Sequence, residues 1–519
     1  MVLYNEYTVE VLLEFPAPGG MLHDPGLCFT NLSLLAIRRS EWQLTLEKKN
    51  FTRLRLHCSR VGSPEDEDVE DLENSECSCV GYLEDEDTED LENFERIVNT
   101  RRDLVTYVGL NLGLRPYTCR TCRLEESDCT EYSNSFFVEK TVSKLLKILS
   151  SWNREGKGLT LELNAQSPSD SQHWFRNCYF GDDDRGEIMN TRIGDRSQEN
   201  SRELHDPEHG WVRGQQLVKP DVPALLRLYE KIKFRKFYAQ PKVDAVTTLV
   251  IRRHCRRRFV PGTLSSLWYC FPQLEYMIYE PWRLWDSEVQ KYYDEKYGEH
   301  FGLYLPKGLK TLSVFEDTNE DYIEIVRKAE STYKVGSVRS PTRALGVTFA
   351  KKSVALEQLS VAFMIDACCF FGGCDPTWTW SNLKSLALTS VFLTRTVKDS
   401  DIFSQLQAAG KAALQMPSLQ NMSLWNGRKG EACAFIYQSR DGYRSITWRS
   451  TWDLELDPCV VETWERVAAE NARGELRVEK ELLNSDIIRS HGDAIHHLRL
   501  PQRVIDPESL WQIRREHEK

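Results

Sequence analysis

His205-x-x-Glu208-His209 has the spacing of an inverted zincin motif, in which two imidazoles on one helical face hold zinc and the glutamate serves as general base. That chemistry requires a helix. Pro207 lies between the histidines, where it removes a backbone donor and clashes with the preceding turn, and the surrounding stretch is polar and glycine-rich. A bend fixed by Asp206-Pro207 is the better reading of these residues, with a metal-dependent hydrolase using this loop as the remote alternative. Cys119-x-x-Cys122, with Cys129 beyond, is half of a zinc knuckle. A structural site needs four ligands, and no second pair follows at a suitable spacing. His57, Cys58, Cys77 or Cys79 would complete it only if the intervening acidic stretch folded back. The residues are read as free thiols, and no metal, cofactor or catalytic residue is assigned.

Charged and aromatic residues offer binding chemistry instead. "IRRHCRRRF", Ile251–Phe259, carries Arg252, Arg253, Arg256, Arg257 and Arg258 directly after an apolar strand pattern. Such a run is a solvated loop, a basic localisation signal, or a cationic rim for an acidic or phosphorylated protein partner, since guanidinium groups pair with phosphate in bidentate fashion. Nucleic acid is disfavoured, because no base-reading module accompanies the run. Trp282 with Arg283, and Trp448 with Arg449 and Trp452, combine the residue types that anchor interfaces and equally make internal latches. Glu316, Asp317, Glu320 and Asp321 lack the spacing of an EF-hand and read as a solvated face.

These residues need a scaffold, and the chain can build a substantial one. Its 519 residues are 41% hydrophobic and include 14 tryptophans. The net charge of −11 is concentrated in a duplication, "EDEDVEDLEN" at Glu65–Asn74 and "EDEDTEDLEN" at Glu84–Asn93. An insertion over 63–93 is therefore expected to be disordered and solvated, and a polar loop is expected over 181–215. The 15 cysteines are scattered and no secretory signal opens the chain, which suits a reducing cytoplasmic or nuclear setting. No apolar run is long enough for a membrane span.

A pattern, apolar-x-x-apolar-x-apolar, recurs along the chain. It runs through Phe51/Leu54/Leu56, Val105/Val108/Leu110, Val246/Leu249/Ile251, Leu274/Met277/Tyr279 and Leu309/Leu312/Val314. It continues at Leu356/Leu359/Val361, Leu383/Leu386/Leu388, Leu419/Met422/Leu424 and Ile495/Leu498/Leu500, with a weaker copy at Gly158–Leu163. The last two apolar positions share one face of a strand. Helical stripes precede several copies, as at Val138–Trp152 and Asp401–Met416. Helix followed by strand, repeated irregularly, predicts an α/β fold: a leucine-rich-repeat-like solenoid over 51–519 with parallel strands and helices outside.

"EWQLTLEKKNFTRLRL", "SPSDSQHWF", "HDPEHGW", "YEPWR", "FEDTNEDY", "ITWRSTWDLEL" and "DAIHHLRLPQRVIDPESLWQIRREH" together resemble the F-box-like leucine-rich proteins of filamentous ascomycetes, which carry a domain of unknown function. The resemblance implies a short helical F-box-like segment at 1–50, degenerate or truncated because the usual Leu-Pro-x-Glu opening is missing. Trp42 and Leu46 would lie on its last helix and contact a Skp-type adaptor. The implied function is non-enzymatic: a protein-recognition subunit, an F-box-type substrate adaptor of a cullin ubiquitin ligase, or else a repeat scaffold without adaptor binding.

Overall fold

The computed structural model describes residues 51–60, 89–152, 158–181, 205–329, 339, 341–440, 443–471 and 475–516. The F-box-like segment 1–50, with Trp42 and Leu46, and most of the acidic insertion lie outside them. The chain forms two compact units. The first runs to Val250 and takes in Cys255–Arg257 and Cys270–Gln273; the second comprises Ile251–His254, Arg258–Tyr269 and Leu274 onward.

The first unit alternates strand and helix: β1 (Arg53–Ser59), α1 (Glu89–Val98), β2 (Tyr107–Gly113), α2 (Asp128–Ser150), β3 (Leu159–Gln166), α3 (Val222–Leu228) and β4 (Val246–Ile251). All three strand pairings are parallel, and Leu54, Val108, Leu161 and Leu249 align in one row across them. These side chains are fully buried. Parallel neighbours cannot be joined by a tight turn, so helices must carry the chain back across the sheet. α2 starts where Ser127 accepts the Thr130 N–H at 3.1 Å, with Asp128 and Glu131 in its first turn favoured by the helix dipole.

The second unit follows with α4 (Pro261–Cys270), β5 (Tyr276–Tyr279), α5 (Ser287–Tyr304), β6 (Thr311–Phe315), α6 (Glu320–Lys328), α7 (Arg343–Ser353) and β7 (Gln358–Ala362). Then come α8 (Ala367–Phe371), β8 (Ser385–Thr389), α9 (Asp399–Ala413), β9 (Asn421–Arg428), β10 (Glu431–Arg440) and β11 (Tyr443–Ser450). α10 (Pro458–Asn471), β12 (Leu476–Leu482), α11 (His491–Leu498) and α12 (Pro507–Glu516) complete it. From β5 to β9 every pairing is parallel, and two rows stack in register: Met277, Leu312, Leu359, Leu386 and Met422, then Tyr279, Val314, Val361, Leu388 and Leu424. β9, β10 and β11 are antiparallel neighbours, and β12 adds in parallel. The result is a mixed α/β fold with a large, mostly parallel sheet.

Alternation along each strand divides the second unit's core between two faces. Phe435 and Tyr437 of β10, paired with Leu424 and Met422, pack on Trp464 of α10, whose indole N–H donates to the Leu406 carbonyl of α9 at 3.1 Å. The opposite face presents small residues, Ala362, Ala387, Ala432 and Ala434, beneath Ala494, Ile495, Leu498, Val504 and Ile513 of the C-terminal segment. Gly427 lets α11 sit directly on β9, since a Cβ there would come within 2.4 Å of Ala494 Cβ.

Three readings from sequence are corrected. Ile495/Leu498/Leu500 is no strand: Ser490 caps α11 by accepting the Asp493 N–H at 3.2 Å, and Ala494, Ile495 and Leu498 form a helical stripe against the sheet. The acidic insertion ends earlier than residue 93, because α1 begins at Glu89 and buries Leu91, Phe94 and Val98, with Phe94 6.2 Å from the Trp152 ring. Within the 181–215 loop, residues from His205 onward are folded, through a one-turn 3-10 helix at Pro207–His209 and a small hairpin of Trp211–Val212 with Gln215–Gln216. Burial of Trp211 anchors that segment. No described helix is long and apolar enough to cross a membrane.

Leu386 sits at the centre of an in-register row and is fully buried. Leu386→Ala is expected to cost about 2–5 kcal/mol in a denaturant melt. A loss below about half a kcal/mol would place this side chain outside the core.

Candidate functional site

In the first unit, thiols and imidazoles from three loops converge. The turn after β2 supplies Cys119 and Cys122, the turn after β3 supplies His173, and the 3-10 segment supplies His209. Cys119 Sγ, His173 Nδ1 and His209 Nε2 all lie within 4.8 Å of one another. Cys119 Sγ is 3.6 Å from His173 Nδ1, Cys122 Sγ is 3.5 Å from His209 Nε2, and the two ring nitrogens are 3.1 Å apart. Cys122, His173 and His209 are buried, while Cys119 reaches the surface.

The outer ring nitrogens are held separately. His209 Nδ1 lies 2.7 Å from Asp206 Oδ2, and Asp206 also pairs with Arg176 at 2.9 Å. Burial works against the Asp206 carboxylate, but the His209 hydrogen bond and the charge of Arg176 outweigh it and hold its pKa below the usual range. His173 Nε2 is 3.4 Å from the Tyr117 carbonyl, and the Tyr117 ring stacks on the imidazole at 5.3 Å. Burial and the neighbouring His209 push the His173 pKa down, so this ring favours its neutral form.

The surrounding sequence explains this rigidity. Asp170 accepts the Ser167 N–H at 2.9 Å and the Tyr117 hydroxyl at 3.1 Å, while Ser169 Oγ accepts the Tyr117 N–H at 3.0 Å. Trp211 donates to the Trp174 carbonyl at 3.2 Å, and Trp174 packs edge-on to His209 at 5.4 Å. Ser167, Ser169 and Asp170 of "SPSDSQHWF" thus hold Tyr117 and the turn that carries His173.

The structure separates the two histidines of the formal zincin spacing: His205 and Glu208 are exposed, and only His209 joins the cluster. It also answers the half knuckle of Cys119 and Cys122 with partners other than His57 or Cys58. His173 and His209 lie 51 and 87 residues beyond Cys122, a separation no local spacing rule spans. The available signal was that each lies within two residues of a tryptophan, Trp174 or Trp211, in an otherwise polar segment. Cys129 is disulfide-bonded, unlike the free thiol expected from sequence, whereas Cys119 and Cys122 are free thiols.

The arginine run is engaged inside the protein. Arg253, Arg256 and Arg257 are buried. Arg253 pairs with Asp317 and, at 2.8 Å, with Glu516; it also lies 4.8 Å over the Trp282 ring. Arg256 reaches Tyr229, and Arg257 reaches Glu126 at 2.7 Å. Arg252 pairs with Glu508 and Asp506, and Arg258 stacks over Tyr293.

The acidic residues expected on a solvated face divide between core and surface. Glu316 and Asp317 are buried: Arg339 bridges Glu316 and Asp294 at 2.7 and 2.6 Å, and His491 Nε2 lies 2.9 Å from Asp317. Glu320 and Asp321 open α6 instead. Trp282 donates to the Arg253 carbonyl at 2.7 Å, Arg283 donates its backbone N–H to Asp317, Trp448 packs against Trp452, and Arg449 pairs with Glu481 at 2.7 Å. These are internal latches.

Residues 304–506 match a family of unknown function, DUF6546. The match falls within the second unit and agrees with the expected C-terminal domain of unknown function. No curated protein and no solved structure matches the chain.

Burial alone would raise the Asp317 pKa, but Arg253 and His491 overcome this and hold it far below the usual carboxylate range. A depressed folded pKa stabilises the protein above the unfolded value, and that contribution is lost as pH falls through the folded one. Asp317→Asn is expected to cost about 3–5 kcal/mol at neutral pH, toward the lower figure because Glu516 still faces Arg253. Denaturant melts from pH 7 down to about 3 should show wild-type stability falling below about pH 4, with this part of the slope missing in the variant.

Proposed function

We propose that the chain is a non-enzymatic protein-recognition subunit, built as an irregular leucine-rich-repeat-like array and serving as an F-box-type substrate adaptor of a cullin ubiquitin ligase in the cytoplasm or nucleus. The array reading is supported by the strand–helix rhythm and the in-register apolar rows, in which each unit buries its strand against its neighbours. A non-catalytic role is supported by the use of the buried ionisable groups: Arg253, Asp317 and His491 are paired with one another, as are Arg339, Asp294 and Glu316.

The observation that carries recognition is an exposed apolar face on the second unit. α5 presents Val289, Tyr292, Leu303 and Tyr304 outward, and α4 presents Tyr269, with Leu303 67% and Tyr269 68% accessible. The two helices pack through Trp268 and Phe301 at 5.0 Å and through a 2.9 Å contact between Ser265 and His300. Tyrosine and leucine held outward on a rigid helix pair contribute contact area at low entropic cost. A substrate protein bound there would be presented for modification by other subunits, and the arginine run, engaged internally, is not part of that face. The adaptor contact itself belongs to the 1–50 segment through Trp42 and Leu46.

Co-purification with a Skp-type adaptor tests the ligase role. Full-length protein should retain the adaptor, and deletion of residues 1–50 should abolish retention. A folded full-length chain that never retains it would leave a repeat scaffold without adaptor binding. For recognition, Tyr292→Ala with Leu303→Ala should weaken substrate capture about thirtyfold, the cost of about 2 kcal/mol typical of hot-spot loss. Unchanged capture would move the binding face elsewhere.

A further inference from the structure

The outer nitrogens of both imidazoles face acceptors, which leaves the inner nitrogens as the pair able to share a ligand. His209 Nδ1 faces Asp206 Oδ2 and His173 Nε2 faces the Tyr117 carbonyl, which turns His209 Nε2 and His173 Nδ1 toward one another across 3.1 Å. Sulfur closes in from both sides, at 3.6 Å for Cys119 and 3.5 Å for Cys122. A tetrahedron with Zn–S near ~2.3 Å and Zn–N near ~2.05 Å has S–N edges of ~3.6 Å and an N–N edge of ~3.3 Å. The Cys119–His173, Cys122–His209 and His173–His209 separations fall close to these edges; Cys119, His173 and His209 lie mutually within 4.8 Å, and the Cys122 thiol, 3.4 Å from the Cys119 carbonyl, turns inward to complete the set.

We propose that Cys119, Cys122, His173 and His209 bind a structural zinc ion, with Asp206 as the residue that orients His209. Two thiols and two imidazoles form a borderline-soft donor set suited to tetrahedral zinc, and four protein ligands leave no position for substrate or water. Binding forms two Zn–S and two Zn–N bonds and releases the two thiol protons to solvent. The resulting neutral zinc–dithiolate centre fits a largely buried site, and the Asp206 charge is balanced by Arg176. The ion joins the loop after β2, the loop after β3 and the Pro207–His209 turn, three segments with little regular hydrogen bonding of their own. This proposal is independent of the adaptor role.

The test uses the full-length chain purified under reducing conditions without chelator. Elemental analysis should find about one zinc per chain. Cobalt added to metal-stripped protein should give tetrahedral ligand-field bands and a thiolate-to-cobalt charge-transfer band, both displaced by zinc. Cys119→Ser with Cys122→Ser should remove that band, whereas Cys459→Ser, at an exposed thiol in the other unit, should keep it. Asp206→Asn, which leaves all four ligands in place, should weaken zinc binding by about 10–100-fold while preserving the spectrum. The proposal is overturned if the wild-type chain neither retains zinc nor binds cobalt, or if the charge-transfer band survives the double serine variant. Because the wild-type measurements stand by themselves, a variant that fails to fold does not rescue it.

Discussion

Parallel pairing in register is the constraint on which the rest of this structure depends. A parallel strand cannot return through a tight turn, so each one is followed by a crossover, and every crossover begins at a carboxyl end. Polar and ionisable residues collect there in both units. Cys119, Cys122 and His173 follow β2 and β3 in the first. In the second, Glu280 follows β5, Glu316 and Asp317 follow β6, and Asp366 follows β7. The apolar rows hold the strands at fixed spacing, and the loops at their ends inherit that precision.

Burial then decides what the charges do. A guanidinium inside a protein costs several kcal/mol unless carboxylates meet it, and a carboxylate beside it must stay ionised to do so. The second unit meets this condition by bringing Arg253 together with Asp317, Glu516 and His491 from distant parts of the sequence. Arg339 meets it with Asp294 and Glu316. Such networks tie segments that share no backbone hydrogen bonds, and they fix which loops lie against which. The C-terminal segment is held partly in this way, through Glu516 and His491, and partly by the small-residue face of the sheet.

The thiol–imidazole cluster belongs to a different regime. Its donors come from the loops after β2 and β3 and from the Pro207–His209 turn, and Asp206, Tyr117 and Arg176 hold the ring orientations through hydrogen bonds and charge. Tyr117 and Trp174 pack on its imidazoles. The exposed face of α4 and α5 has the opposite character, with apolar side chains held outward on a rigid pair of helices.

The sequence by itself determined the strands from β1 to β9, because a period-two apolar pattern with a fixed lead-in residue reports a buried strand face whatever the intervening spacing. Each such copy from Phe51/Leu54/Leu56 to Leu419/Met422/Leu424 lies on or leads into a strand, and even the weak copy at Gly158–Leu163 became β3. Local pattern failed where an apolar triplet fits two periods: Ile495 and Leu498 suit a helix stripe as well as a strand, and the sheet face they cover settled the choice. β10 and β11 escaped notice because strands buried on both faces show no clean alternation. Residue type alone suggested a basic surface and a solvated acidic cluster. Only the tertiary structure placed Arg253 against Asp317, since a charge's fate depends on which side chains arrive from far along the chain. The same holds for Cys119, Cys122, His173 and His209: each was visible as a letter, and their convergence exists only once the loops after β2 and β3 are brought side by side.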